Sequence, residues 1–143
     1  MRLELSSEGR YAFRALIYLA RADARVTADR ISAEAIIPRR LLARIMARLS
    51  RAGLVESSQG RGGGSRLARS PREITIRDAV EAAEGPFDVT RCIMQNRNCG
   101  EAAPCAMHEA WIEGQQAILG YLQDQTLSEF VSRTVSSTLP PEN

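Results

Sequence analysis

Residues 38–69 read PRRLLARIMARLSRAGLVESSQGRGGGSRLAR, and this stretch decides the fold. Its first half repeats apolar residues at the three- and four-residue spacing of an amphipathic helix, with Pro38 suited to the first helical position. The apolar stripe comprises Leu41, Leu42, Ile45, Met46 and Leu49. Gly53 ends the helix after about Ala52, because glycine readily adopts the left-handed conformation found there. Two short strand-like runs, Leu54–Ser58 and Ser65–Arg69, then flank a glycine-rich tip, which predicts a β-hairpin.

The same stretch is strongly basic. Residues 36–72 contain nine arginines and one acid, Glu56. Residues 1–80 hold 16 Arg against 8 acids (net +8), and residues 81–143 hold 3 Arg against 9 acids (net −6), although the whole chain carries only +2. On the predicted helix, Arg40, Arg44, Arg48 and Arg51 stack opposite the apolar stripe. No acid interleaves them, so their repulsion is uncompensated unless a polyanion docks, whereas a solvated charged face is the alternative.

Two helices are predicted before this stretch. The first begins at the Ser6–Ser7 cap and ends near Arg21. The second begins after Thr27, and the chain then turns at Ile37–Pro38. Three of its apolar residues are expected to face inward: Ile31, Ala35 and Ile36.

A fourth helix follows the hairpin. Thr75 and Asp78 have capping-box spacing, and Gly85–Pro86 stops the helix. The order helix, helix, helix, hairpin, helix predicts a mainly α winged helix-turn-helix domain over residues 1–85.

The hairpin is interpreted as a wing that contacts DNA. Nucleotide-binding glycine loops need a helix directly after the glycines, and a second strand follows here instead. A flexible turn is the alternative. Double-stranded DNA is therefore the expected partner, with the 39–44 end of the helix in the major groove of a pseudo-palindromic operator. The predicted contacts are Arg39, Arg40, Arg44, Arg48 and Arg51 on the helix, and Gln59, Arg61, Gly62, Gly63 and Arg66 on the wing.

The chain changes character after the winged helix. Residues 86–103 form an irregular, cysteine-containing loop, residues 104–131 a long helix opened by Pro104 and a short terminal helix capped by Thr126, and residues 132–143 a disordered tail. The long helix carries a near-heptad apolar seam: Met107, Trp111, Gly114, Ile118 and Tyr121. Packing within the chain is the alternative, but a lone trailing helix favours a homodimer, with Met107, Trp111, Ile118 and Tyr121 at its interface.

Three cysteines and the chain's one histidine form a candidate metal site. Six residues separate Cys92 from Cys99, five separate Cys99 from Cys105, and His108 lies three positions after Cys105. Cys105 and His108 would share one face of the predicted helix. Structural zinc usually uses a closer cysteine pair, whereas wide gaps on a polar loop suit an iron-sulfur cluster, although spacing alone leaves both open. Without a secretion signal or a long apolar stretch, a cytoplasmic protein with no membrane association is expected.

The chain resembles the family of the iron-sulfur cluster assembly regulator, the nitric-oxide-sensitive repressor and the rhizobial iron regulator. The resemblance runs from Met1 to Val131. It is carried by Met1-Arg2-Leu3, Gly9–Ala12, Leu49 with Ala52–Val55, the Gly60–Gly64 wing, and Cys92, Cys99, Cys105, His108 and Trp111. It implies a homodimeric regulator, not an enzyme, whose cluster is ligated by the three cysteines, and a repressor is expected rather than an activator. Oxidation, loss or nitrosylation of that cluster would change operator binding.

Departures from the family pattern concern the fourth ligand and the operator. The Cys-x-x-His-x-x-Trp pattern from Cys105 favours a 2Fe-2S cluster over 4Fe-4S, with His108 as fourth ligand, although the first cysteine gap is one residue longer than usual. The nitric-oxide branch has an aspartate where this chain has Arg10, so Glu8 is the other candidate. Ala43 stands where the cluster-assembly branch has an acid, so the operator sequence of that branch cannot be assigned to this chain. A structural zinc site and an electron-transfer protein are the rival interpretations.

Overall fold

The computed structural model describes residues 4–99 and 105–134, without the Thr134 side chain. The predictions for Met1-Arg2-Leu3, residues 100–104 and residues 135–143 lie outside this part of the chain. The elements run α1 (Ser7–Ala22), α2 (Ala28–Glu34), α3 (Arg39–Arg51), β1 (Val55–Ser58), β2 (Gly64–Leu67), α4 (Ile76–Glu84), α5 (His108–Asp124) and α6 (Leu127–Thr134). This order confirms the predicted winged helix-turn-helix. None of the described helices is both long and apolar enough to cross a membrane.

Side-chain caps begin the helices where the sequence predicts them. The Ser6 hydroxyl accepts a hydrogen bond from the Gly9 amide at 3.0 Å, and the Thr27 hydroxyl accepts one from the Arg30 amide at 3.4 Å. Thr75 and Asp78 form the reciprocal capping box. Each cap satisfies amide groups that have no partner within their own helix, which fixes the starts of α1, α2 and α4.

The wing is an antiparallel hairpin attached to the segment between α1 and α2. Its strands pair Val55 with Leu67 and Ser58 with Gly64. Val26 adds a further bridge, because its amide donates to the Ser65 carbonyl at 2.8 Å and its carbonyl accepts from the Ser65 amide at 2.8 Å. A Cβ at Gly64 would lie 2.4 Å from the Val26 oxygen, so this close approach requires glycine.

The core joins the winged helix to the last helix of the chain. Its largest fully buried side chains are Leu16, Leu19, Ile31, Leu42, Ile45, Leu49, Leu54, Val55, Ile74 and Leu127. Leu127 opens α6, and the Phe130 ring packs edge-on against Phe13 with centroids 6.5 Å apart. The terminal helix therefore belongs to the same core as α1, and it continues to Thr134, beyond the predicted end at Val131.

The turn between α2 and α3 corrects two predictions. Ile36 is 71% exposed, whereas Ile37 is buried, so the inward position predicted for Ile36 is wrong. Ile36 adopts a φ of +54°, and this left-handed step redirects the chain after α2 and turns its side chain outward. Pro38 is the N-cap residue with an extended ψ of 124°, and Arg39 takes the first helical position predicted for Pro38.

The start of α5 corrects a third prediction. The helix begins at His108, and the described residues Cys105–Met107 precede it in a turn. The His108 amide donates to the Cys105 carbonyl at 3.0 Å, a turn that comes before regular helical bonding. Cys105 and His108 therefore do not share one helical face.

Replacing Ile36 with glycine should stabilise the protein. A β-branched residue at positive φ is strained, and the exposed side chain contributes little burial. We expect Ile36→Gly to raise the free energy of unfolding by about 1 kcal/mol, measured by urea denaturation. Ala33→Gly in α2 is the matched control and should lower it by about 0.5–1 kcal/mol. Equal destabilisation by both changes would show that Ile36 is not strained.

Candidate nucleic-acid interface and cysteine loop

A groove separates α3 from the wing. Its volume is about 550 Å³, and its floor includes Leu42 and Met46. Arg39, Ala43, Ala47 and Ser50 line one side, and residues of the wing, including Gln59 and Gly63, line the other. The small side chains on α3 leave room beside the helix, so a polymer backbone can approach between the helix and the wing.

The arginine stripe of α3 is partly neutralised by other helices. Glu8 of α1 pairs with Arg44 and also with Arg48, at 3.4 Å in the second case. Arg48 additionally donates to the Ala83 carbonyl in the last turn of α4. The predicted lack of compensation is therefore wrong for Arg44 and Arg48, because the compensating groups come from α1 and α4.

The other three arginines of α3 differ in whether they form an ion pair. Arg39 pairs with Asp29 of α2 at 3.0 Å, and both side chains are exposed. Arg40 and Arg51 are exposed and have no ion pair within the described part of the chain. Exposed ion pairs of this kind contribute little to stability, so a phosphate group can replace Asp29 as the partner of Arg39 at small cost. Arg40 and Arg51 are available to phosphate without such an exchange.

The two wing arginines, Arg61 and Arg66, differ in whether they form an ion pair within the described residues. Arg66 and Arg25 both bind the Glu56 carboxylate, the latter at 3.0 Å. The hydrogen bond from Arg66 is the main reason why the pKa of Glu56 lies below its usual value. Arg61 is exposed at the tip and makes no ion pair within residues 4–99 and 105–134. Gly62 follows it with a φ of +73°, a conformation that favours glycine.

The cysteine loop contains a short hairpin. The Cys92 amide donates to the Arg97 carbonyl at 3.0 Å, and the Cys99 amide donates to the Thr90 carbonyl at 2.6 Å. Arg91 and Asn98 form the bridge between these bonds. This pairing brings Cys92 and Cys99, which are seven positions apart in sequence, to the same part of the loop.

Cys99 lies at the centre of the candidate ligands. Its Sγ lies 2.9 Å from Nδ1 of His108. Burial, followed by the charge of Cys92, raises the pKa of the Cys99 thiol. Hydrogen bonding from the Met94 amide is the main cause that lowers the pKa of Cys92. Cys105 is exposed and acts on Cys99 electrostatically.

The side chains of the loop include the donor types of a metal site. Among the described residues, no three His, Cys, Asp or Glu side chains are placed to hold a single metal ion. Thiols and an imidazole are nevertheless the ligand types of an iron-sulfur cluster, which spans more space than one ion. The donor set of Cys92, Cys99, Cys105 and His108 fits such a group chemically. Glu8, the other predicted ligand, instead contacts Arg44 and Arg48.

The apolar seam of α5 is largely uncovered. The helix contains no fully buried residue, and Met107, Ile118 and Tyr121 are exposed, the last at 63%. Trp111 is half-buried, but its indole N–H has no hydrogen-bond partner among the residues that the structure describes. Val89, Ile93 and Met94 of the loop are also exposed. Apolar surface thus concentrates on the loop and α5, where a partner surface can cover it.

The sequence did not predict the contact between the start of α1 and the end of α4. The Ser6 amide and hydroxyl both donate to the Glu84 carboxylate, at 2.8 and 2.9 Å. A Cβ at Gly9 would lie 1.8 Å from the same carboxylate, so Gly9 makes this approach possible. A glycine within the predicted first helix was the available signal, but its partner is 75 residues away in sequence.

The basic helix, the glycine-tipped wing and the groove between them define a winged helix-turn-helix DNA-binding regulator. The family model named Rrf2, described as an iron-dependent transcriptional regulator, matches residues 5–133. The chain belongs to the Rrf2 family. It is accordingly a transcriptional regulator and not an enzyme.

Relatives and solved structures agree with this assignment. The chain is 32% identical to the HTH-type transcriptional regulator IscR of Photobacterium profundum, over 90% of this chain and 76% of that protein. It is 31% identical to the HTH-type transcriptional regulator NsrR of Bacillus subtilis, over 90% of each chain. The structure of CymR, the global cysteine regulator of B. subtilis, superposes with a TM-score of 0.75 and 28% identity, covering 93% of this chain and 99% of that one.

Removing the Glu8 charge should strengthen binding to duplex DNA. Phosphate must displace Glu8 to reach Arg44 and Arg48, and this competition disappears in Glu8→Gln. We expect duplex affinity at low salt to rise about two- to fivefold, the range set by an exposed ion pair, as measured by fluorescence anisotropy on iron-free protein. Glu113→Gln in α5 makes the same change in net charge and should have a smaller effect. Equal effects from the two variants would indicate a general charge effect.

Proposed function

We propose that this regulator is a homodimeric repressor whose operator binding is controlled by an iron-sulfur cluster of the 2Fe-2S type. Cys92, Cys99, Cys105 and His108 would hold the cluster. The observation that carries the proposal is the 2.9 Å contact of Cys99 with His108, together with the hairpin pairing that brings Cys92 to the same part of the loop. The family description as iron-dependent agrees with an iron centre in this loop.

The loop residues would hold the cluster and tune it. Cysteine binds metal as the thiolate, and the Met94 amide stabilises that form at Cys92. His108 would use a ring nitrogen, and its position at the start of α5 links the loop to the proposed dimer helix. A bound cluster would supply the sensitivity to redox state, iron supply or nitric oxide. The signal cannot come from the fold alone, because CymR shares this fold and is named for cysteine regulation.

A contiguous set of contacts connects the loop with the DNA-binding helix. The loop begins directly after α4, whose last turn accepts hydrogen bonds from Arg48 of α3 and from Ser6. A change of loop conformation on cluster loss would pull on these groups and shift α3. A difference of about 1–3 kcal/mol in operator affinity between the cluster-bound and cluster-free forms would give a 5- to 150-fold switch.

The proposed complex with DNA uses both copies of the winged helix. Pairing along the α5 seam would place two α3 helices in successive major grooves of a pseudo-palindromic site. Arg39, Arg40 and Arg44 would face base edges, and the wing would hold the backbone beside them. The other proposed contacts are Arg48, Arg51, Gln59, Arg61, Gly62, Gly63 and Arg66.

Replacing one cysteine should abolish the visible absorbance of anaerobically purified protein. Cys99→Ser removes the central ligand, so we expect a colourless protein with little bound iron. Met94→Leu changes an exposed side chain of the same loop and should leave the colour unchanged. Colour retained in Cys99→Ser would refute the ligand assignment. A colourless wild-type protein that contains zinc would instead support the structural zinc interpretation.

Replacing Arg44 with alanine should weaken specific DNA binding. If Arg44 reads a guanine, the loss should be about 1–3 kcal/mol and should relax specificity at one operator position. An operator selected from random duplexes allows this to be measured by anisotropy over a range of salt concentrations. Arg21→Ala on α1 makes the same charge change and should alter affinity much less. Unchanged affinity of the Arg44 variant would remove this residue from the base-reading set.

A further inference from the structure

A second cavity lies on the face of the wing that points away from the groove beside α3. Its volume is about 550 Å³, and its walls come from the end of α1, the two strands and the segment after β2. Glu56 and Arg66, which pair across the hairpin, line this cavity, whereas Ser57 and Ser65, the next positions of the same strands, line the groove. Successive strand residues point to opposite faces, so the two spaces are separated by the wing. The volume is in the range of small-molecule sites.

Charged side chains of both signs line this second cavity. They are three arginines and three acids: Arg25, Arg66, Arg69, Asp23, Glu56 and Glu73. Arg25 and Arg66 share one acceptor, Oε1 of Glu56, and the contact from Arg25 measures 3.0 Å. The two guanidinium groups thus carry one positive charge more than this carboxylate neutralises. Because a guanidinium group binds carboxylates in a bidentate manner, the pair is suited to a second carboxylate, supplied by a ligand.

The acids of the cavity are available to a cationic group. Asp23 is exposed, and its carboxylate makes no ion pair or hydrogen bond among the residues that the structure describes. The Glu73 carboxylate accepts a hydrogen bond from the Ser70 amide at 3.0 Å, but it too makes no ion pair within that part of the chain. The half-buried side chains of Leu67 and Pro71 line the same cavity. It therefore offers guanidinium groups, carboxylates and apolar surface together.

We propose that this cavity binds a free α-amino acid with an aliphatic side chain. The guanidinium groups of Arg25 and Arg66 hold its carboxylate. Asp23 and Glu73 hold its ammonium group, and its side chain packs against Leu67. The charges that line the cavity balance, so a ligand that carries one charge of each sign complements them, whereas a simple anion or cation leaves groups of one sign without a partner.

The same arginines connect the cavity to the wing. Besides Glu56, the Arg25 guanidinium donates to the Gly64 carbonyl at 2.9 Å, at the start of β2. A carboxylate that binds Arg25 and Arg66 competes with these acceptors, and it also occupies an arginine that is proposed to contact DNA. The bound amino acid therefore weakens duplex binding, and the duplex weakens amino-acid binding by the same factor. This coupling rests on the proposed role of Arg66, whereas amino-acid binding itself does not.

Isothermal titration calorimetry on the full-length, anaerobically purified protein tests the site with three matched probes. L-leucine carries both charged groups, isocaproate lacks the ammonium group, and isoamylamine lacks the carboxylate. We expect L-leucine to bind about tenfold more tightly than either analogue, because each analogue loses one set of charge-assisted hydrogen bonds. Isocaproate binding as tightly as L-leucine, or no binding of L-leucine at millimolar concentration, would overturn the proposal.

Two variants and a control locate the bound amino acid. Asp23→Asn removes a partner of the ammonium group, and Arg25→Gln removes a partner of the carboxylate, so each should weaken L-leucine binding about tenfold. Asp124→Asn changes an exposed acid at the end of α5 and should leave L-leucine binding unchanged. Circular dichroism checks that the variants are folded. Wild-type affinity for L-leucine in Asp23→Asn and Arg25→Gln would place the amino acid elsewhere and overturn the assignment.

Fluorescence anisotropy with the selected operator tests the coupling to the wing. Saturating L-leucine should lower the operator affinity of the wild-type protein about fivefold, and it should lower that of Asp23→Asn much less. Unchanged operator affinity in protein that binds L-leucine would refute the coupling through Arg66. Protein that binds L-leucine but no operator would contradict the proposed function instead, because the calorimetry requires neither DNA nor a cluster.

Discussion

The dense positive charge of α3 must be accommodated by the helices packed around it. Arginines stacked along one helix face repel each other, and no acid of the same helix offsets them. Glu8 of α1 offsets the charges of the two central arginines, Arg44 and Arg48. Arg48 also donates a hydrogen bond to the Ala83 carbonyl at the end of α4. The positive charge of Arg44 and Arg48 thus holds α3 to α1 and α4, so the side chains proposed to contact DNA also take part in helix packing.

Local chemistry explains why much of the fold was predictable. The caps at Ser6, Thr27 and Thr75, and the hairpin beyond Gly53, follow from residues within a few positions of each other. Ile36 was mispredicted because helical periodicity was continued past the end of α2 at Glu34. The left-handed turn there reverses which neighbouring isoleucine faces inward, and the sequence holds no glycine to indicate it.

The arrangement of the candidate site was not predictable from the sequence. Cysteine and histidine types mark only candidate ligands, and their spacing on a helix predicts that Cys105 accompanies His108. The contact found is between Cys99 and His108, because α5 begins only at His108 and the loop hairpin places Cys99 beside it. Likewise, Glu8 was a candidate ligand by resemblance, while its ion pairs with α3 depend on tertiary packing that linear spacing does not encode.

The short helix α4 contacts elements on both sides, since it lies between the loop, α5 and α3. At its start, the Ile76 amide donates to the Gln125 carbonyl at 2.8 Å, and Thr75 bridges Thr126, so the junction of α5 and α6 is fixed there. At its end, Glu84 binds Ser6, and Ala83 binds Arg48. The loop leaves one end of α4 and α5 returns to the other. The loop and α5 are therefore both attached to a helix that is already bonded to α3, so the proposed coupling requires no further element.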